Sequence, residues 1–336
     1  MFYHGLTNRL VRCCKFPMKD FQKEFGEKII ASVSRSFYLS LRFLPSEMRG
    51  TASLAYLLAR ATDTVADTGA LPESDRLDFL EQMGLSIYGA AKAPEFEPSL
   101  MEGQMSEGER TLLEKWQHCL EWLRSLKEER QFAIHKVMRS IIKGQSDDLR
   151  NFSEKEFSSL NTDEELDQYT YDVAGSVGVF WTEIGFDAYG TDFSTLEYEE
   201  MTLLGENYGK GLQLLNILRD FPEDFVSGRC YFPGSFSGSD GGIIWSQVRD
   251  QWQERCGSLL QASVDYVGSL NGARVRFATS LPALIGARTL KRIVNSDWDN
   301  LCGRIKVSRA EVKRIMLKAG LAGRKRIRKM VLTELS

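Results

Sequence analysis

Four aspartates in this sequence have the type and spacing to do chemistry. Asp63 and Asp67 stand four apart in RATDTVAD (60–67), and Asp220 and Asp224 stand four apart in NILRDFPED (216–224). On a helix, positions i and i+4 share a face one turn apart, and two like charges there repel by about 0.2–0.5 kcal/mol. Both pairs follow apolar stretches of helical period, so each places acid at the end of a core-facing helix and calls for a compensating cation. Hard cations, Mg²⁺ above all, take carboxylate oxygens and share them with substrate phosphates. Two such helices facing each other would hold Mg²⁺ between them. Gln213, Asn216, Asp220 and Asp224 form one polar stripe through an otherwise apolar segment that contains Leu212, Leu214, Leu215, Ile217 and Leu218.

Positive and small residues fit the same picture. Ser34-Arg35-Ser36-Phe37 puts two hydroxyls around a guanidinium. Arg60 precedes Asp63 by one turn, Arg219 is next to Asp220, and Arg229 follows the second motif. Arginine matches phosphate oxygens with a planar fork of donors. In Tyr169-Thr170-Tyr171-Asp172-Val173-Ala174-Gly175-Ser176-Val177-Gly178, glycines sit where a helix would lose about 1 kcal/mol against alanine. Something bulky must pack closely there, either a neighbouring helix or a ligand's hydrocarbon chain. The basic run 324–329 reads either as a solvated helix end or as a weak attractor of anionic lipid.

The elements that must position these residues are helices. Apolar periodicity predicts helices over 27–43, 47–67, about 108–126, 129–145, 163–186, 196–221, 243–269, 273–295 and 308–331. One more starts after Pro72, with Ser74 or Asp75 as its cap. Residues 91–106 and 227–242 read as loops. Alternating strand runs are few, and no fixed-period repeat or linker divides the chain. The expectation is one all-α domain of 336 residues, with an extension over 1–26 and a helical core over 27–331 around a buried interior.

Composition narrows the function classes. The chain is 43% hydrophobic and 26% charged, with a formal charge of −3, which excludes bulk disorder and speaks against nucleic acid as partner. Its six cysteines form no CxxC pair, which disfavours structural zinc and suits reduced thiols in a cytosol. Three scattered histidines disfavour histidine-rich metal sites and triads. The basic N-terminus lacks an apolar signal core, and no run is long enough to span a membrane.

Four blocks in order carry a resemblance to a known family. SRSF (34–37), RATDTVAD (60–67), YTYDVAGSVG (169–178) and LQLLNILRDFPED (212–224) with Gly228-Arg229 resemble the squalene and phytoene synthases, over about residues 28–300. The first two blocks look more like the squalene synthase branch. The resemblance implies an all-α isoprenoid synthase fold, with two aspartate-rich helices at the mouth of an apolar cavity. It implies head-to-head joining of two prenyl diphosphates, farnesyl diphosphate favoured, through a cyclopropyl intermediate; in the squalene synthases NADPH then reduces the rearranged cation. The alternative within the family stops before the reduction.

By that resemblance Asp63, Asp67, Asn216, Asp220 and Asp224 hold Mg²⁺, while Arg219 and Arg229 assist the departing diphosphate. Ser34, Arg35, Ser36, Phe37, Arg60, Val173, Gly175 and Gln213 face the substrate, and Tyr169 manages the proton lost on ring closure. Arg304 and Lys306, with Arg35, Arg60 and Arg219, are the expected contacts of NADPH. Phe180, Trp181 and Phe277 are candidates for the cavity floor. Two departures stand out: Ala66 replaces a glutamate common in the family, and Pro222 should bend or end its helix near Asp220. Without a C-terminal anchor in this sequence, a soluble or membrane-peripheral monomer is expected.

Overall fold

Why the chain folds as helices is visible at their ends and along their buried faces. The computed structural model describes residues 28–33, 35–96, 105–152, 157–236, 238 and 240–335, with 35–37 and 39 described by their backbone. The expected N-terminal extension and Ser34 lie outside the described residues. Helices α1 (Arg35–Phe43), α2 (Ser46–Ala66) and α3 (Glu73–Ile87) come first. Pro45 and Pro72 each stand just before the first turn, where a missing N–H costs nothing. Neither Ser74 nor Asp75 is a cap. α3 already starts at Glu73, and the Ser74 hydroxyl bonds Asp75 instead.

The stretch expected as one helix over 108–126 breaks at Lys115 into α4 (Glu107–Glu114) and α5 (Trp116–Arg124). Ser106 and Glu109 close a reciprocal capping box at the start of α4. Then follow α6 (Glu128–Asn151), α7 (Asp163–Thr170) and, after a π-helical turn at Tyr171–Gly175, α8 (Ser176–Tyr189). The long central helix α9 (Tyr198–Val226) leads to α10 (Gly241–Ser269) and α11 (Ala273–Val294). Short α12 (Trp298–Cys302), α13 (Arg309–Gly320) and α14 (Arg324–Leu335) complete the chain. A continuous buried apolar cluster runs from Ile29 to Val331. Among the described residues no helix is long and apolar enough to cross a membrane.

Pro222 does not end its helix. α9 runs through it to Val226, because the residues on both sides are held by packing. Phe221 sits in an aromatic cluster with Phe225, Phe232, Trp245 and Trp298, at centroid distances of 5.2–6.0 Å. That burial outweighs one missing backbone hydrogen bond, and Asp224 stays on the wall it shares with Asp220.

Close helix contact explains the small residues. A Cβ on Gly178 would lie 1.8 Å from the Gly205 carbonyl oxygen. The glycines of 169–178 therefore admit a neighbouring helix, which decides between the two readings open in the sequence. The other structural device is Gly228. Its φ of 80° turns the chain out of α9 at little cost. β2 (Arg229–Cys230) can then pair in parallel with β1 (Ser158–Ser159). This two-residue ladder fixes the segment that carries Arg229 and Tyr231.

Candidate active site

The last turns of α2, the C-terminal half of α6, the end of α7, the polar stripe of α9 and the β2 segment enclose a cavity of about 910 Å³. Asp63, Asp67, Asp220 and Asp224 all line it, together with Arg60, Arg219, Arg229, Gln213, Asn216, Tyr169 and Val173. Ile217, Leu149 and Phe152 supply apolar surface between them. Two aspartate pairs separated by about 150 residues of chain thus meet across one space, which is what two facing i, i+4 stripes require.

The first wall is α2. The Arg60 guanidinium donates to Asp63 at 2.5 Å and also to Glu109 on α4. Burial, then repulsion from Asp67, pushes the Asp63 carboxyl up to about 7, with Arg60 opposing. The 40% of the Asp63 side chain that stays accessible faces the cavity. Asp67 is raised by burial too, against the fields of Arg229, Arg60 and Arg76. Buried Arg76 donates to the Ala66 carbonyl at 2.9 Å, satisfying an end carbonyl of α2 with a cation.

The second wall is α9. Arg219 grips its neighbour Asp220 with two donors, Nε lying 2.7 Å from Oδ1. Asp224 is bonded by Arg229 at 3.1 Å, and burial pushes its carboxyl up to about 7 in spite of that partner. The Asn216 amide donates to Gln213 at 3.4 Å along the stripe.

The third wall holds the expected Tyr169 together with a second tyrosine, Tyr231, and a carboxylate, Asp148, that the sequence reading missed. Tyr169 and Tyr231 stack at 4.9 Å with 22° between their planes. The Tyr231 hydroxyl donates to Asp148 at 2.6 Å. Burial raises both phenols well above their ordinary value, so both are neutral donors. The π-helical turn after Tyr169 has a wider repeat than an α-helix. It directs Asp172 to Lys143, 2.6 Å away on α6, while Tyr169 and Val173 still line the cavity. A signal for this wall exists in the sequence. Gln145 and Asp148 are a polar i, i+3 pair beside Ile141, Ile142 and Leu149, and Tyr231 follows Arg229 by two, the repeat of an extended segment.

The remaining expected residues lie elsewhere. Gly175 is buried against α9, where a Cβ would lie 2.9 Å from Lys210 Cγ, and does not line the cavity. Arg304 and Lys306 lie in the loop between α12 and α13. Arg304 has a left-handed φ of 59° and is ion-paired with Glu223, beside the second aspartate pair. Ser34 and the side chains of Arg35, Ser36 and Phe37 lie outside the described residues. Of the proposed floor residues, Phe180 and Trp181 are buried, Trp181 bonding Thr279 at 3.1 Å, and Phe277 packs edge-on to Phe43. None of the three lines the cavity.

The donor set suits a hard divalent cation. It offers carboxylate and amide oxygens, and three of its carboxyls, Asp63, Asp67 and Asp224, are raised, chiefly by burial and against the arginines beside them. Among the described residues no three His, Cys, Asp or Glu side chains converge on one point. A cation here would therefore complete its shell with substrate oxygens and water, as Mg²⁺ commonly does.

Residues 30–311 match the family profile for squalene/phytoene synthase. The chain belongs to the squalene/phytoene synthase family. It is 28% identical over 234 residues to a squalene synthase of Saccharomyces cerevisiae, an alignment covering 68% of this chain and 47% of that protein. It is 24% identical over 309 residues to the squalene synthase of Homo sapiens, covering 87% and 68%. The chain thus spans about half the length of the fungal relatives it matches. A solved complex of TcSQS with a ligand superposes with a TM-score of 0.77 at 23% identity, covering 94% of this chain and 91% of that one. A dehydrosqualene synthase superposes at 0.60 with 18% identity, covering 90% and 98%. These likenesses establish the all-α isoprenoid synthase fold.

Proposed function

We propose that this family member joins two molecules of farnesyl diphosphate head to head and reduces the product to squalene with NADPH. The observation that carries the reading is the meeting of both aspartate pairs, three arginines and Tyr169 on one cavity. Arg60, Arg219 and Arg229 each hold a carboxylate, and an arriving diphosphate would compete for those guanidinium forks. Gln213 donates an amide from the stripe. Asp63, Asp67, Asn216, Asp220 and Asp224 would hold Mg²⁺, which supplies positive charge for the leaving diphosphate. Val173, Ile217 and Phe152 shield the allylic cation from water. Tyr169, which lines the same cavity, would receive the proton released on cyclopropane closure.

Purified protein incubated with farnesyl diphosphate, Mg²⁺ and NADPH should yield squalene by gas chromatography. Product formation that persists undiminished in both Asp63→Ala and Asp220→Ala would refute the site. A second reading omits the reduction, so that the product is dehydrosqualene, phytoene or presqualene diphosphate. Its support is that Arg304, an expected cofactor contact, is committed to Glu223. Formation of the same product with and without NADPH decides for it.

The basic end of the chain fits an anionic lipid surface that could receive an apolar product. Leu317 and Leu321, 67% and 76% exposed, sit at the corner of α13 and α14 beside exposed Lys318, Lys325 and Arg326. Flotation with phosphatidylglycerol vesicles but not with phosphatidylcholine vesicles is the expected result.

A further inference from the structure

Asp148 is the carboxylate of the cavity that the reading above leaves without a task. It projects from α6 onto the third wall, with 18% of its side chain exposed. Tyr231 donates to its Oδ1 at 2.6 Å, and Arg229 Nη1 approaches its Oδ2 at 3.9 Å. The Tyr231 ring stacks on Tyr169. One turn earlier on α6, Gln145 also lines the cavity, with its buried amide oxygen lacking a protein donor among the described residues.

The chemistry of ring closure poses a problem at this wall. Closing the cyclopropane breaks a C–H bond at C1 of the prenyl unit that has lost its diphosphate, and its electron pair forms the third side of the ring, to the cationic carbon of the other unit. The proton must go to a base. A neutral phenol such as Tyr169 can accept it only by handing on its own proton in the same step. The groups around Asp148 are Tyr231 and Arg229 of the β2 segment, Tyr169 of α7, Asp67 of α2 and Asp224 of α9. Tyr169 also lowers the Asp148 carboxyl by hydrogen bonding. Burial raises that carboxyl overall, which makes it a better proton acceptor than an exposed aspartate once ionised.

We propose that Asp148, with Tyr231 bonded to it, is the positioning pair that aims Tyr169 and takes up the proton Tyr169 passes on. This rests on the condensation proposed above. The balance is complete without a co-reactant. The C1–H proton goes to the Tyr169 oxygen, the Tyr169 proton moves to the Asp148 carboxylate, and the carboxylic acid later releases it through the cavity. Tyr231 donates to the carboxylate throughout and holds the Tyr169 ring by stacking.

The test uses the full chain with Mg²⁺ and either farnesyl diphosphate or its 1,1-dideuterated form, without NADPH, following the cyclopropyl product. Asp148→Asn and Tyr231→Phe both keep shape, and the second also keeps the stack. Asp148→Asn should lower kcat by ~10²-fold, and Tyr231→Phe by less. KM should hold near the native value, and the deuterium isotope effect on kcat should rise as proton removal becomes the slow step. Asp148→Glu should recover part of the rate. A fall in kcat with an unchanged isotope effect means that the pair only props the wall, and overturns the proposal. So do native rates in both variants. Native protein that condenses no prenyl diphosphate overturns the condensation itself, and that result is distinct because it appears before any substitution is made.

Discussion

The walls built by α2 and α9 carry the same i, i+4 aspartate pair but balance it differently. On α2 a single guanidinium, Arg60, is divided between Asp63 and Glu109, while Asp67 is reached by more distant arginine fields. On α9 Asp220 is gripped by Arg219, and Asp224 is paired with Arg229, which Asp148 also approaches at 3.9 Å. The backbones differ as well. α2 ends at Ala66 with its second aspartate at the C-cap, whereas α9 continues past its pair and is braced behind by the Gly178–Gly205 contact. The α2 wall thus carries surplus negative charge, and the α9 wall is close to neutral on its own. A cation bound in the cavity would be favoured most beside Asp63 and Asp67.

The largest effects come from removing one carboxylate per wall. Asp63→Ala and Asp220→Ala should each slow diphosphate release by ~10²–10³-fold. Asp220→Ala should weaken apparent Mg²⁺ affinity more, because it leaves Arg219 uncompensated on a wall that was nearly neutral. Mg²⁺ titration of activity checks this, and the opposite order would break the comparison.

Next in size is the brace behind α9. Gly178→Ala forces a methyl into the Gly205 backbone and should destabilise the protein by about 1–3 kcal/mol or more, read by denaturant unfolding. An unchanged midpoint would mean that α9 is not held from behind.

The pH dependence is smaller and has a definite sign. Asp63 and Asp224 have folded values of about 7, above the ordinary carboxylate range, so their ionisation costs the folded state. Their contribution to stability is full at low pH and is lost as pH rises through about 7. Metal-free protein should melt higher at pH 6 than at pH 8, Asp63→Asn with Asp224→Asn should flatten that slope, and Mg²⁺ should oppose it. The smallest effect is at the rim. Arg304→Ala removes an exposed ion pair and should leave the melting temperature and the KM for farnesyl diphosphate unchanged. A raised KM for NADPH alone would assign Arg304 to the cofactor.

Much of this was legible before any coordinates. The long helices follow from apolar periodicity, and the stripe Gln213, Asn216, Asp220, Asp224 follows from its spacing. The breaks were not legible. Lys115 divides α4 from α5, the turn after Leu321 divides α13 from α14, and the π-helical turn interrupts 163–186, all without a proline to mark them. Pro222 misled in the other direction, because a local rule about one N–H took no account of the aromatic cluster around Phe221.

Residue order alone determined the helical class, the two acidic pairs and their need for positive charge, since helical period and like-charge repulsion are local properties. Tertiary structure decided which residues share the cavity. It brought Asp148 and Tyr231 to Tyr169, turned Gly175 toward α9 and tied Arg304 to Glu223. Each of these depends on the packing of segments far apart in the chain, and local periodicity carries no record of which distant segment a side chain will meet.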